Sequence, residues 1–419
     1  MIPAYAILVA VFVAITVRQL LELKIQIWKI MLIGAVAALA LGEISVPAAF
    51  SSINFGIIAF LIGMFIIGEA LQQSGYLDSL SSRLFSKARD TYATLLLLTF
   101  GAGVLSMLLM NDTLAIIGTP IVISLARSRG MRAEPFLMAL AFSITTGSVT
   151  SPIGNPQNLL IAASSRLGEP FLTFFGYLLV PTVINLFITY AMLRFVYRRD
   201  LQKGNSRKDA HKVLPTGSKG SSTWNVKLSI ILLAIGFASY ILYSLAYPSP
   251  QPQYLFSIPL LASIPILLFY HDKKAIVSKM DWGTIIFFIS LFIIVGSVWD
   301  SGVLQGIISG SSSLISSALY IFPVSIIFSQ LISNVPLVAL YLKILETTAK
   351  GVMPLMALAA SSTIAGNLSI LGAASNVIII QGTEKKGERT INMKSFVKIG
   401  IPLTIIESFV YILFLVMLY

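Results

Sequence analysis

Hydrophobic positions along this chain fall in long blocks, not in the alternating or one-faced patterns of a soluble fold. Tyr5–Val17, Ile30–Ala40, Phe55–Ala70, Leu228–Leu245 and Phe396–Leu418 are nearly uninterrupted apolar runs. About 20 such residues carry a helix across a bilayer. The pattern predicts ten crossings, near 3–17, 28–46, 53–72, 136–163, 171–194, 226–246, 255–270, 282–299, 354–381 and 396–418. Two further apolar pieces, 92–126 and 311–345, span 35 residues each, barely enough for two short spans without a turn. Their polar centres, MNDT (Met110–Thr113) and SNVP (Ser333–Pro336), favour re-entrant hairpins that reach mid-membrane from opposite sides; two short full spans are the alternative. The expected fold class is an all-α polytopic membrane protein. The first run follows Met1 without a basic segment or small-residue cleavage site, so it is expected to be a retained span.

The polar interruptions carry more information than the apolar runs. SPIGNPQN (Ser151–Asn158) breaks an otherwise greasy crossing with two prolines and a glycine. Proline and glycine interrupt helices, and unpaired backbone groups are costly in hydrocarbon. The break is duplicated: Phe136–Ile161 aligns without gaps on Pro354–Ile379, matching Gly154 with Gly372 and Asn158 with Asn376. Asn54–Gly75 aligns in the same way on Asp281–Gly302. Each half, 1–197 and 225–419, then holds five crossings and one hairpin. Five is odd, so the second half is expected upside down relative to the first. Inverted repeats with matched broken helices mark secondary transporters, with the site at the midplane between them.

Composition adds little until charge is placed. The chain is 56% hydrophobic and 11% charged, against roughly 25% charged in soluble proteins. Its 29 basic and 17 acidic residues give +12, a value that could suggest nucleic acid. Placement argues otherwise: with the N-terminus outside, 26 of the 29 basic residues fall in inside loops, leaving Arg166, Lys343 and Lys350 outside. That asymmetry is an insertion signal. It places the chain in the cytoplasmic membrane with both termini outside and nucleic acid excluded as a partner. Residues 198–224, rich in Gly, Ser and Lys, read as a flexible inside linker between the halves. No cysteine is present, which removes disulfides and thiolate metal sites. His211 and His271 fall in inside loops and form no HExxH site, and no GxSxG elbow has a partner histidine in the membrane. GTEKKGE (Gly382–Glu388) lacks the GK[ST] of a phosphate loop. The chain is not expected to be an enzyme, to hold a metal centre or to need a cofactor beyond Na+ or H+ as coupling ion. A separate ATPase subunit is left open.

At the breaks, half-helix N-termini attract anions and preceding carbonyls can coordinate Na+. Asn155, Gln157, Asn158, Ser375 and Asn376 add neutral donors and acceptors. Ionisable groups inside spans are functional candidates: Asp112 at the first tip, Glu69 in the third crossing and Glu407 in the last. Asp112 leads as the proton or cation carrier because it lies beside the expected site; its counterpart at the second tip is Val335. For the break residues the competing role is to satisfy the broken backbone or to pack helices closely; for Glu69 and Glu407 it is helix packing or lining a cavity.

With these residues in view, the chain resembles the ion transporter superfamily, which includes ArsB-type arsenite permeases, citrate and INDY-like dicarboxylate carriers, and NhaD-type antiporters. NDTLAIIGTPIVI is similar to the first-hairpin motif of ArsB-type permeases, IGNPQNLLI to the family's G-x-P-x-N break, and SNVP to the start of its SNT motif. The resemblance covers nearly the whole chain. It implies substrate and coupling-ion contacts at Asn111, Asp112, Thr113, Gly154, Asn155, Asn158, Ser333, Asn334, Gly372, Ser375 and Asn376, with Na+ near Asn111, Asn155 and Asn334. It also implies a homodimer. The tips read NDT and SNV where a dicarboxylate carrier carries SNT twice, and the second break, GAASN, lacks proline. Both departures favour the ArsB-like or anion-permease branch. The expected function is therefore secondary active transport of a small anion or oxyanion by alternating access, coupled to H+ or Na+. The alternatives are a Na+-coupled citrate, dicarboxylate or sulfate carrier, a Na+/H+ antiporter, or a channel.

Overall fold

The computed structural model describes residues 4–21, 25–75, 88, 90–164, 166–206, 223–247, 252–303, 312–388 and 390–417. Among these residues all regular structure is helical. The first half contains α1 (Ala4–Leu20), α2 (Ile27–Ala40), α3 (Val46–Ser52), α4 (Phe55–Ser74), α5 (Thr91–Leu108), α6 (Asn111–Ser128), α7 (Glu134–Ser148), α8 (Pro156–Ala162), α9 (Pro170–Val196) and α10 (Arg198–Ser206). The second half contains α11 (Thr223–Ala246), α12 (Pro252–Ala262), α13 (Ile264–Phe269), α14 (Lys273–Lys279), α15 (Trp282–Asp300), α16 (Ser312–Ile315), α17 (Ala318–Ile332), α18 (Asn334–Thr348), α19 (Met353–Ile364), α20 (Ala374–Lys385) and α21 (Met393–Met417). Two 3₁₀ turns, Ala365–Asn367 and Ile370–Gly372, join α19 to α20. Six described helices are long and apolar enough to cross a membrane.

Polar residues start several of these apolar helices by capping free backbone N–H groups. Ser45, Asn54, Asp90, Asp272 and Asp281 accept from the amides three residues on, at the N-termini of α3, α4, α5, α14 and α15. Gly75, with φ 63°, ends α4 in the left-handed region that glycine enters without strain.

Packing pairs the two halves in a matched way. In the first half α5 lies on α7; in the second half α17 lies on α19. Across the halves, α6 packs on α20 and α18 packs on α8. The α5–α7 contact is backbone-close: a Cβ on Gly147 would lie 2.3 Å from the Gly103 carbonyl oxygen. At 1.5 Å per residue, the 27 residues of α9 extend about 40 Å, while the 15 residues of α7 cover about 22 Å before the chain breaks. The break after α7 therefore sits roughly midway along the bundle.

Contacts between loops keep the two ends of the bundle distinct. Arg127 pairs with Glu388 at 2.6 Å, Arg132 with Asp200 at 3.0 Å, and Arg129 donates to the Ala88 carbonyl at 2.8 Å. The hydrogen bond and charge of Asp200 raise the Arg132 guanidinium pKa above its ordinary value. All of these belong to expected inside loops. At the other end Arg166 donates to the carbonyls of Glu346 and Ala349, and Lys343 pairs with Glu346 at 3.6 Å.

Two boundaries differ from expectation. The crossing expected at 255–270 is divided into α12 and α13 at Ser263, between Pro259 and Pro265, each of which removes a helical N–H. The expected linker begins as a helix: α10 runs to Ser206 because Leu201 is buried, its carbonyl accepts from Thr91 at 2.7 Å, and Asp200 holds Arg132. Residues 207–222 of the linker, and 83–87 and 89 of the expected inside loop at 83–89, lie outside the described residues.

Candidate functional site

Both expected breaks are present, and each is closed by its own asparagine. In the first, Asn158 Nδ2 donates to the carbonyls of Ser148 (3.1 Å), Val149 (3.3 Å) and Ser151 (3.0 Å). In the second, Asn376 Nδ2 donates to Gly366 (2.8 Å) and Ser369 (3.4 Å). Each amide thus reaches the carbonyls ten and seven residues back, adding a donor to the acceptors that follow a terminated helix. The matched glycines are needed for space. A Cβ on Gly154 would lie 2.7 Å from the Ser148 oxygen and 2.8 Å from the Ser106 oxygen; on Gly372 it would lie 2.7 Å from the Ala365 oxygen.

Asn155 caps α8 by accepting from the Asn158 amide at 2.8 Å, with Pro156 at the first helical position. Its Nδ2 donates to Ser148 Oγ (3.1 Å) and to Thr363 Oγ1 (3.2 Å) on α19, and Thr363 in turn donates to Asn158 Oδ1 at 3.3 Å. Asn155 and Asn158 are therefore occupied in holding the first break and tying it to the second half.

The hairpin tips meet the breaks. The Asn111 amide donates to the Gly154 carbonyl at 2.9 Å. On the second hairpin, Gln330 Nε2 donates to the Ala365 carbonyl (2.8 Å) and Ser369 Oγ donates to Gln330 Oε1 (2.7 Å). Ser333, at the tip, has φ 74°, the only non-glycine residue with positive φ among those described; such a conformation is strained for a serine.

Helix direction brings further groups together. Thr119 lies against Gly382, and Arg127 pairs with Glu388, so α6 and α20 run side by side in the same direction. Their first residues, Asn111 and Ala374, consequently start at one level. Arg166, just past α8, binds the C-terminal carbonyls of α18, so these two helices also run in parallel. Helix N-termini from both halves thus point back towards the breaks, presenting free N–H groups and positive dipole ends. Around them Asn111 Oδ1, Asn334 Oδ1, Asn376 Oδ1, Ser375 Oγ and Thr150 Oγ1 are buried with no hydrogen-bond partner among the described residues. Buried polar atoms are usually paired, so these are available to a bound solute or hard cation.

The three acids separate. Asp112 is in the first turn of α6 and half-buried. Its neighbour Thr113 packs over Gly68, where a Cβ would lie 3.0 Å from the threonine side chain, bringing this tip to α4 beside Glu69. Glu69 is half-buried and accepts from Gln73 at 2.8 Å. Glu407 is fully buried, accepting from Thr146 (2.7 Å), Asn367 (2.9 Å) and Thr189 (3.4 Å). Sequence reasoning missed Thr146, Thr189, Gln330, Thr363 and Asn367. Asn367 and Gln330 could have been noticed as amides inside apolar runs; the threonines carry no comparable signal.

Among the described residues no lysine or arginine is buried, and Glu407 is the sole charged residue that is. No group of three or more His, Cys, Asp or Glu side chains capable of holding a metal is found among them. The site is chemically a set of amides, hydroxyls and helix ends. It can hydrogen-bond a polar solute from several directions, and its oxygens can ligate a monovalent cation.

Comparison with known proteins agrees with this architecture. The citrate transporter (CitMHS) family profile matches residues 10–355. The silicon efflux transporter LSI3 of Oryza sativa subsp. japonica is 24% identical, covering 90% of each chain. A Dictyostelium discoideum protein carrying the transporter name arsB is 31% identical over 42% of this chain and 31% of its own. Among solved structures, the Alcanivorax borkumensis YdaH transporter shares the fold with a TM-score of 0.59 at 11% identity, covering 88% of this chain and 86% of that one.

Proposed function

The chain belongs to the citrate transporter family and is a membrane transporter, and from that premise we propose that it carries a small, uncharged polyhydroxy acid of the arsenous or silicic acid kind. The observation that carries this reading is the absence of any buried lysine or arginine among the described residues, in a site rich in unpaired neutral oxygens. A polyanion taken out of water needs positive partners. A neutral polyol needs many acceptors and donors spread in space, which Asn111, Asn334, Ser375 and Asn376 can supply. A relative named for silicon efflux fits the same chemistry.

In this reading the two halves are inverted repeats, α5–α6 and α17–α18 are re-entrant hairpins, and cargo binds between their tips and the two breaks. Transport is secondary, by alternating access in the cytoplasmic membrane with both termini outside. H+ or Na+ drives it through Asp112, which lies at the first tip. The matched asparagine closures and the crosswise packing of α6 on α20 and α18 on α8 support the repeat reading. Citrate is the second reading, favoured by the helix N-termini that face the breaks; there the carboxylates would enter together with cations bound by the unpaired oxygens.

Uptake into proteoliposomes of arsenite, silicic acid, sulfate, citrate and succinate, each under separate Na+ and pH gradients, tests the proposal. Arsenite or silicic acid should accumulate against its gradient. Movement of citrate or succinate alone overturns the cargo assignment. Asp112→Asn should abolish gradient-driven accumulation without changing yield or melting behaviour; near-normal accumulation removes Asp112 from the coupling role.

A further inference from the structure

Glu407 lies in the middle of α21 with its side chain wholly shielded. Its carboxylate touches both helix breaks at once. Thr146 Oγ1, in the last turn before the first break, donates to Oε1 at 2.7 Å; Asn367 Nδ2, in the 3₁₀ turn of the second break, donates to Oε2 at 2.9 Å. The same Asn367 amide reaches Thr146 Oγ1 at 3.0 Å, so the three side chains close a ring. Thr189 of α9 approaches Oε1 at 3.4 Å, and Asn185 donates to the Glu407 backbone carbonyl at 3.4 Å.

Among the described residues no positive group answers this carboxylate. The elements packed on α21 are α9, α17, α19 and the two 3₁₀ turns. The buried polar residues they bring are Thr182, Asn185, Thr189, Ser325, Ser329, Ser361, Ser362, Thr363 and Asn367, all uncharged. The buried polar residues of α7, which supplies Thr146, are serines and threonines; its one acid, Glu134, lies at the far end of the helix and accepts from Tyr197. On α21 itself the other titratable groups are Tyr411, bonded to Thr182 Oγ1 at 2.7 Å, and the exposed Lys394 and Lys398 near its start. An uncompensated charge at this depth is expensive, and acids so placed in membranes recur in proton relays. The ring also suits two protonation states. Hydroxyls can donate or accept, and an acid can donate where a carboxylate accepts. Thr146 can therefore serve a charged Glu407 as donor and a neutral one as acceptor, while Asn367 donates to both.

We infer that Glu407 takes up one proton from water and returns it as the two breaks part and rejoin, acting as a positioning acid that links both breaks to the coupling ion. The bond formed is carboxyl O–H, and the proton leaves when Thr146 and Asn367 close again on the carboxylate. This goes beyond the role given to Asp112; it rests on the proposed alternating access for the parting of the breaks and on the cargo assignment for the flux assay alone.

Infrared difference spectra of the purified protein in lipid, recorded between acid and alkaline buffer without cargo, test it. Wild type should show a carboxylic C=O band that comes and goes with pH. Because 17 acids contribute, the Glu407 band is read as wild type minus Glu407→Gln. That double difference should isolate one carboxylic C=O band, Glu407→Asp should restore one, and Thr146→Val should shift its frequency while keeping it. A double difference between wild type and Glu407→Gln with no such band overturns the inference. In parallel, arsenite-loaded proteoliposomes under a pH gradient should show proton-driven flux in wild type, tenfold or more lower in Glu407→Gln and partly recovered in Glu407→Asp. Failure of wild type to move arsenite removes the cargo assignment but leaves the infrared test of Glu407 standing. Where Glu407→Gln folds poorly, the Thr146→Val frequency shift decides.

Discussion

Replacing Asn158 by alanine removes one side-chain amide that serves the carbonyls of Ser148, Val149 and Ser151 at 3.1, 3.3 and 3.0 Å. An amide has two hydrogens, so at most two of these bonds are strong and the third is shared. Water is excluded at a fully buried position, and each carbonyl left unsatisfied there costs about 1–3 kcal/mol. The Ser148 and Ser151 carbonyls keep the Ser151 and Gly154 amides at 3.3 Å, so alanine orphans the Val149 carbonyl, weakens the other two, takes the acceptor from Thr363 Oγ1 and leaves a small void. Together these cost about 2–4 kcal/mol, a large share of the roughly 5–15 kcal/mol that holds a typical fold. Asn376→Ala is the internal control: it removes one good bond at 2.8 Å and one near the limit at 3.4 Å, about 1–3 kcal/mol by the same reasoning. Asn158→Asp preserves volume but turns a donor into an oxygen facing three oxygens, and should be at least as damaging as alanine. Heat-unfolding midpoints of the three variants, purified in one detergent, should rank wild type, then Asn376→Ala, then both Asn158 variants. The reasoning fails if Asn158→Asp melts with wild type, or if Asn376→Ala is the most damaging of the three.

Gly154→Ala drives a methyl into backbone oxygens at 2.7 and 2.8 Å; it should cut transport at least tenfold and lower the melting midpoint, whereas Gly101→Ala, with open space around it, should leave both unchanged. Arg127→Ala breaks an ion pair whose arginine side chain is 63% exposed, so stability in denaturant titration should change by less than about 1 kcal/mol. Arg166→Gln removes the cation from the α18 carbonyls of Glu346 and Ala349; amide exchange in 340–350 should accelerate, and unchanged protection would show that this end needs no latch. Because the chain has no cysteine, Lys343→Cys and Lys398→Cys report orientation directly: a membrane-impermeant maleimide on intact cells should label the first and spare the second.

Apolar runs near the observed spans were legible because hydrocarbon demands length and continuity of any helix that crosses it. The breaks were legible for the opposite reason, since proline, glycine and asparagine have few other uses inside such runs. Their closure was legible only as the alternative to ligand binding. That Asn158 and Asn376 turn back on their own carbonyls, instead of facing outward, depends on loop geometry that residue types alone do not specify. The division at Ser263 was masked by apolar neighbours, although Pro259 and Pro265 mark it once seen. The three acids stood out in sequence as charges in grease, yet nothing local distinguishes Glu407, fully buried and touching both breaks, from Glu69, bonded four residues along its own helix. The difference lies in contacts with residues 40 and 261 positions away, which only the folded arrangement brings close.

The amide closures have a mechanical consequence. Each break is fastened within ten residues of its own chain, so most of its closure is made within its own half. The side-chain ties that do cross between the halves at the first break are few: Asn155 and Asn158 to Thr363, and Thr146 to Glu407 and Asn367. A rearrangement of one half against the other can therefore shear at these polar joints while each interrupted helix travels as a finished piece. Under the proposed alternating access, the joints would govern how fast the protein turns over, and the closures would keep the proposed binding surface the same from one stroke to the next.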